Sequence, residues 1–233
     1  MRLHRFYVLE PLGEELLVEQ KELVHQWLRV FRYTQGDSVL LFNENTSGFD
    51  YTYTITATTS SSVSLSPLGR VSNILPSHDL ALFMALVKKD TFETVVRQAT
   101  ELGITAITPV LSARSEKKSL NMDRLRSIAQ EAAEQSGRGT VPVLHDICTF
   151  DDAMTSVLPS HIVCDGKGSA SLPNQSITAL WVGPEGGWTD AEVAELTTRG
   201  AKSHSYGTPT LKADTAAITG IVHCLSSHTS VLH

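Results

Sequence analysis

The stretch Ala179-Leu-Trp-Val-Gly-Pro-Glu-Gly-Gly-Trp188 decides how the rest of the chain is read. Residues 177–182 are apolar with no polar alternation, which predicts a strand buried on both faces. Gly183-Pro184 stops it, Gly186-Gly187 follow, and Thr189-Asp-Ala-Glu192 opens a helical pattern. Thr189 is the expected N-cap there, and Glu192 completes a capping box. Glycines let a ligand come close to the backbone, and the first amides of a helix point outward without partners. The same residues could also form a tight turn that binds nothing, so the flanking chain has to decide.

Outward from this stretch, strands and helices alternate from Asp79 onward. Residues 79–87, 104–111, 161–164, 177–182 and 201–207 read as strands. Residues 89–102, 123–137, 153–157, 191–200 and 214–225 read as helices, with Gly103 as a C′ residue. This alternation predicts an α/β fold with a mostly parallel sheet, whose ligand edge is the carboxyl end of its strands. Three such ends carry glycines: Asp165-Gly-Lys-Gly168, Gly183 to Gly187, and Gly207-Thr-Pro-Thr-Leu-Lys-Ala-Asp-Thr215. Three loops on one edge predict a pocket.

Residues 1–68 read differently. Residues 6–8, 38–42, 51–55 and 60–65 are short strands, and residues 19–30 a helix with Leu23, Trp27 and Val30 on one face. Short strands, tight turns and one helix suggest a small barrel. Residues 67–78 read as a linker punctuated by Pro67, Gly69 and Pro76.

Composition narrows the function. The 233 residues are 41% hydrophobic and 19% charged, ordinary for a soluble globular protein. No apolar run is long enough for a membrane span, and the N-terminus lacks the apolar core of a signal peptide. The three cysteines lie far apart without metal-ligand spacing, which fits reduced thiols in the cytoplasm. A net charge of −6 argues against indiscriminate polyanion binding, yet residues 114–126 hold five basic and two acidic side chains. That segment suits a structured nucleic-acid partner, or is a solvated helix surface. There is no dinucleotide fingerprint, P-loop or nucleophile elbow, and the nine histidines are scattered. No phosphate clamp, covalent nucleophile or metal site declares itself.

At this point the residues carry a resemblance. Trp181-Val-Gly-Pro-Glu-Gly-Gly187 together with Gly207-x-x-x-Leu-Lys-x-Asp-Thr-Ala216 is similar to the two cofactor loops of the SPOUT class of methyltransferases. More narrowly, the whole chain resembles the RsmE family of small-subunit ribosomal RNA (uracil-N3)-methyltransferases. His4-Arg-Phe6 and His25-x-x-x-Arg-Val-x-Arg32 match its N-terminal domain. Lys89, Gln98, Thr100-Glu-Leu-Gly-Ile104, Pro109 and Arg114-Ser115 follow its central segment, and Ala129-x-Glu-Ala-Ala-Glu-Gln-Ser-Gly-Arg138 with Pro142 the next helix.

The resemblance implies a PUA-like RNA-binding β-barrel over residues 1–70 and a SPOUT α/β domain over 71–233. A C-terminal trefoil knot would lie at about 180–225. It implies S-adenosylmethionine held by Val182, Gly183, Pro184, Glu185, Gly186 and Gly187 in one loop. In the other it is held by Leu211, Lys212, Ala213, Thr215 and Ala216, with Thr215 doubling as N-cap of the last helix. The reaction would be in-line attack of a uracil nitrogen on the sulfonium methyl, after that nitrogen loses its proton. Arg138 and Lys212 are candidate cations for the anionic ring. Asp214 or Glu101 is the candidate base or orienter, with a structural Glu101–Arg138 ion pair as the alternative. RNA contacts fall to Arg2, His4, Arg5, Arg29 and Arg32, and to Arg114, Lys117, Lys118, Arg124 and Arg126, mostly on phosphates. The implied partners are small-subunit ribosomal RNA or the subunit, and a second copy of the chain in a homodimer; no membrane or metal is implied. The family usually has Arg at 212 and Glu at 214. Lys lacks the planar fork of Arg, which keeps open a second reading as a catalytically weakened RNA-binding or ribosome-assembly factor.

Overall fold

A computed structural model of the protein describes residues 3–46, 48–156, 160–170, 176–207 and 210–229. Its contacts form two compact units, Met1–Leu75 with Ala133–Val141, and Pro76–Ala132 with Pro142–His233. Residues 133–141 thus count with the N-terminal unit, although a linear reading places them well past residue 70.

The first unit holds a five-stranded sheet in the order β1-β3-β4-β5-β2. Its strands are β1 (Arg5–Tyr7), β2 (Leu16–Val18), β3 (Ser38–Phe42), β4 (Phe49–Thr58) and β5 (Val63–Ser72). β1 runs parallel to β3, and the other pairs are antiparallel. The alternation along β4 seats Tyr53 and Ile55 in a core with Phe6, Trp27, Val39 and Leu41. The linker expected over residues 67–78 begins as strand instead. Pro67 is tolerated inside β5 because the ladder register shifts there, between Thr52 and Tyr53. The helix is also irregular. α1 (Lys21–His25) passes into a π-helical segment, Gln26–Phe31, which Arg32 closes in the left-handed region at φ 57°.

The second unit is a parallel sheet in the order β12-β10-β11-β6-β7-β8, with β9 also on β7. In chain order it runs β6 (Ala81–Ala85), α2 (Lys89–Leu102), β7 (Ala106–Leu111), α3 (Met122–Ser136), β8 (Val143–Leu144), β9 (Cys148–Thr149) and α4 (Phe150–Ala153). It continues with β10 (His161–Ser169), β11 (Ala179–Val182), α5 (Asp190–Thr198), β12 (Lys202–His204) and α6 (Ala213–Thr229). The apolar run read as a two-sided buried strand is β11, buried at every position. On one face Trp181 stacks on Phe83 with ring centres 4.1 Å apart, beside Trp188 and Phe150. α2 and α6 pack on each other and bury Phe92, Val95, Val96, Ala217 and Ile221. Gly220 lets α6 come close to the sheet: a Cβ there would lie 2.6 Å from Leu180 Cδ2 and 2.7 Å from the Tyr206 hydroxyl.

One of the three expected glycine loops is overturned. Asp165 to Gly168 belong to β10, which bulges so that Cys164 and Ser169 both pair with His204. Gly168 is needed for that close approach, since a Cβ would sit 2.5 Å from the His204 amide nitrogen. Among the described residues no helix is long and apolar enough to cross a membrane.

Candidate active site

β10, β11 and β12 are parallel neighbours, so the loops leaving β11 and β12 open on the same carboxyl edge. With β10 between them they lie two strand spacings apart, roughly 10 Å. The first loop is stiff. The Gly187 amide donates to the Pro184 carbonyl at 2.8 Å, and Gly187 sits at φ +66°. A Cβ on Gly183 would lie 3.0 Å from the Trp188 amide nitrogen, which explains a glycine there. Arg114 braces the loop from outside, its Nη1 donating to the carbonyls of Gly186 at 2.8 Å and Trp188 at 3.2 Å. Among the described residues the exposed amides of Glu185 and Gly186 have no acceptor. The Trp188 Nε1–H is buried without one.

α5 begins immediately after, with the expected capping box. The Thr189 side chain accepts from the Glu192 amide at 3.1 Å, and Glu192 Oε2 accepts from the Thr189 amide at 2.7 Å. Glu192 Oε1 accepts from the Ala113 amide at 2.9 Å, tying the loop after β7 to the same rim. That second role, like the brace from Arg114, was invisible in the sequence. The capping motif signals only the local half of the Glu192 contacts.

The second loop carries Gly207 at φ +90° and leads into α6, where the Ala216 amide donates to the Lys212 carbonyl at 2.8 Å. Thr208 and Pro209 fall outside the described residues. Thr215 is not the N-cap: α6 starts at Ala213, so Thr215 already lies in its first turn. Its amide donates instead to Asp214 Oδ1 at 2.8 Å. Tyr206, beneath the loop, has its hydroxyl 3.8 Å from Cys164 Sγ. Burial holds that phenol well above the usual range, and it pushes Cys164 and Cys224 up to about 12.

The donor set fits S-adenosylmethionine. Open amides, glycines at positive φ and the start of α6 can take an adenosine and a carboxylate, and the carboxylates of Glu185 and Asp214 can meet a sulfonium. Among the described residues no group of three or more His, Cys, Asp or Glu is placed to hold a metal.

The acceptor-side candidates are placed separately. Lys212 is exposed, and neither it nor the exposed Glu101 on α2 has an ion-pair partner among the described residues. Arg138 lies in the other unit, 4% exposed, with Nη2 donating to Thr140 Oγ1 at 3.0 Å. Burial lowers its pKa to about 10, which leaves it cationic at neutral pH.

The RNA-contact candidates divide sharply. Arg5 is fully engaged within its unit. Nε and Nη2 hold Asp50, and Nη1 donates to the Ala133 and Glu134 carbonyls at 2.9 and 3.2 Å. Nη2 also donates to the Arg138 carbonyl at 3.0 Å. It is therefore a clasp on the last turn of α3 rather than a surface cation, a correction to the sequence reading. Arg124 pairs with Glu93, and Arg126 with Asp123 and Asp146. Arg114 is the loop brace. Arg29, Arg32, Lys117 and Lys118 are exposed without an ion-pair partner among the described residues. His4 is exposed against Phe31 and Tyr33, and Arg2 falls outside the described residues.

A parallel α/β sheet with two glycine-bearing loops on one carboxyl edge defines a class, and the family model of the RNA methyltransferase domain matches residues 74–223. Relatives called ribosomal RNA small subunit methyltransferase E occur in Rickettsia conorii, 31% identical over 98% of each chain, and in Bacillus subtilis, 28% identical over 84% of each. A Legionella pneumophila protein solved in complex with the bound cofactor SAM superposes with a TM-score of 0.88 at 25% identity, covering 97% of this chain and 98% of that one. The chain belongs to the ribosomal RNA small subunit methyltransferase E family.

Proposed function

We propose that the chain is an S-adenosylmethionine-dependent methyltransferase acting on N3 of a uridine in small-subunit ribosomal RNA. The observation that carries this is the pair of loops after β11 and β12, open on one sheet edge, each leading to a helix N-terminus. The cofactor bound to the Legionella pneumophila protein supports the same choice of ligand. Residues 1–70 are taken as a PUA-like barrel and 71–233 as a SPOUT domain knotted at about 180–225. In favour of a knot, β12 lies at the sheet edge while the next element, α6, packs inward on α2 and β11.

Bound in these loops, S-adenosylmethionine supplies an electrophilic methyl group. The chain's residues do the rest. Amides of Glu185, Gly186 and the start of α6 hold and orient the donor. Lys212 stabilises the uracil ring as its N3 proton leaves, and Asp214 or Glu101 accepts or directs that proton. Arg138, protonated up to about pH 10, is a fixed charge and not a base. Arg29, Arg32, Lys117 and Lys118 meet phosphates of ribosomal RNA or the assembled subunit. The protein works in the cytoplasm as a homodimer, for which Val222 of α6, 40% exposed, offers apolar surface.

Calorimetric titration with S-adenosylmethionine, followed by transfer of labelled methyl to ribosomal RNA and to subunits, tests the reading. Heat of binding and label at a uridine N3 are the expected results. Cofactor binding without transfer would favour the assembly-factor reading, to which Lys212 and Asp214 point. No heat and no thermal shift would sink the cofactor assignment.

A further inference from the structure

The first unit contains a cleft of about 510 Å³ lined by Leu3, His4, Arg5, Phe6, Gln26, Phe31, Glu134 and Gln135. The exposed imidazole of His4 is fixed in place. Its Nδ1 lies 2.6 Å from the Tyr33 hydroxyl, and the Phe31 ring covers one side with centroids 4.4 Å apart. Phe31 in turn stacks on Tyr33, with planes 12° apart. These rings form a rigid step that ends in an accessible imidazole.

The backbone at the step is irregular. The π-helical segment Gln26–Phe31 supplies both Gln26 and Phe31 to the cleft, and its cap, Arg32, is the one described non-glycine residue with positive φ. π-Helical turns and left-handed residues concentrate at functional sites, because such geometry persists where it aims particular side chains. Arg29 and Arg32, on the same segment, are exposed and carry no ion pair among the described residues.

We propose that this cleft holds one unpaired nucleobase of the RNA substrate, stacked on His4. Gln26 and Gln135 meet its edge, while Arg29 and Arg32 take adjacent phosphates. The proposal rests on the RNA-methyltransferase reading and adds how the N-terminal unit grips its substrate. A nucleobase presents a π-face and an edge of donors and acceptors between two anions. The rings, the carboxamides and the arginines match these three features in turn. A bare phosphate makes no use of rings, and although Arg5 lines the cleft beside Glu134, its guanidinium is already spent on Asp50 and three carbonyls. The Glu134 carboxylate is held by the Tyr7 amide, which donates to Oε1 at 3.0 Å.

The test uses the full chain and two single-stranded RNAs of equal length, one intact and one abasic, with affinity followed against salt. Intact RNA should bind about tenfold or more tighter than abasic RNA. His4→Ala should lose about that factor for intact RNA only, leaving the salt slope unchanged, and His4→Phe should restore it. Arg32→Ala should weaken both RNAs and reduce the slope by about one. Equal affinity for the two RNAs, or a His4→Phe protein as weak as His4→Ala, would overturn the proposal. Should His4→Ala melt early, Gln26→Ala supplies the comparison, with a few-fold loss confined to intact RNA. S-adenosylmethionine titration of the same proteins keeps the readings apart. Cofactor binding should be unchanged by His4→Ala, and its absence in the wild type would strike the enzymatic reading alone.

Discussion

Around Arg5, five guanidinium hydrogen bonds reach Asp50, Ala133, Glu134 and Arg138, in a setting where Asp50 is 3% exposed. In the loop from Gly183 to Gly187, the amide of Gly187 is paired, while those of the exposed residues Glu185 and Gly186 have no acceptor among the described residues. Both regions are built from strong donors, and their accounting differs. In the first the guanidinium is saturated, so it holds the fold and keeps no free donor for a ligand. The second is kept open by Arg114 and Glu192, which support the loop from its carbonyl side and from the neighbouring rim. Unfilled donors on a stiff backbone mark binding; filled donors in a buried pocket mark stability.

The widest gap between the regions should come from Arg5→Ala. It takes the guanidinium away from three carbonyls and from Asp50, which keeps only its bond from Asn73 Nδ2 at 2.8 Å among the described contacts. A broken buried pair costs about 3–5 kcal/mol. Denaturant unfolding should report that loss, with cofactor affinity of the folded fraction unchanged. If the stability loss is under about 1 kcal/mol, the clasp is not structural. Glu192→Ala should come next. It removes a capping box worth about 1 kcal/mol, and the Ala113 amide, on an exposed residue, passes to water at a smaller loss. Unlike the first variant, it should also weaken S-adenosylmethionine binding in calorimetry, because the loop rim loses its tie.

A smaller effect concerns pH. Burial raises the thiols of Cys164 and Cys224 in the folded chain from 9.0 to about 12. A group that holds its proton longer when folded contributes nothing new below its unfolded value. Above that value it destabilises, since the unfolded chain releases the proton first. Stability should therefore stay level with respect to these groups up to about pH 9 and fall beyond it. The fall should shrink in Cys164→Ala, and a chain of unaltered alkaline stability would show the thiols to be hydrated.

What could be read in advance was local. The apolar run of β11, the Thr189–Glu192 box and the bounds of α2 follow from neighbours in sequence. Gly168 could not be sorted in the same way. A glycine signals close approach, and only the fold shows that the neighbour is His204 of the next strand rather than a ligand. Pro67 reads as a linker until the register shift opposite it is known. Six residues are too few to tell a π-helical period from an α-helical one, so the segment before Arg32 read as ordinary helix. Arg5 looked like a surface cation because its acceptors lie 45 to 133 residues away.

The smallest effect should come from Arg126→Ala, and it isolates burial as the variable. Arg126 also reaches two carboxylates, Asp123 at 3.1 Å and Asp146 at 2.7 Å, yet it is 46% exposed and its partners 96% and 84%. Arg5 and Asp50 make the same kind of ion pair at 10% and 4% exposure. In water the carboxylates left behind are solvated at once, so the loss should stay within about 1 kcal/mol and shrink further in salt. Should Arg126→Ala cost as much as Arg5→Ala, the difference between the regions would lie in the ion pair itself rather than in the water around it. The distinction between a saturated clasp and an open rim would then need another physical basis.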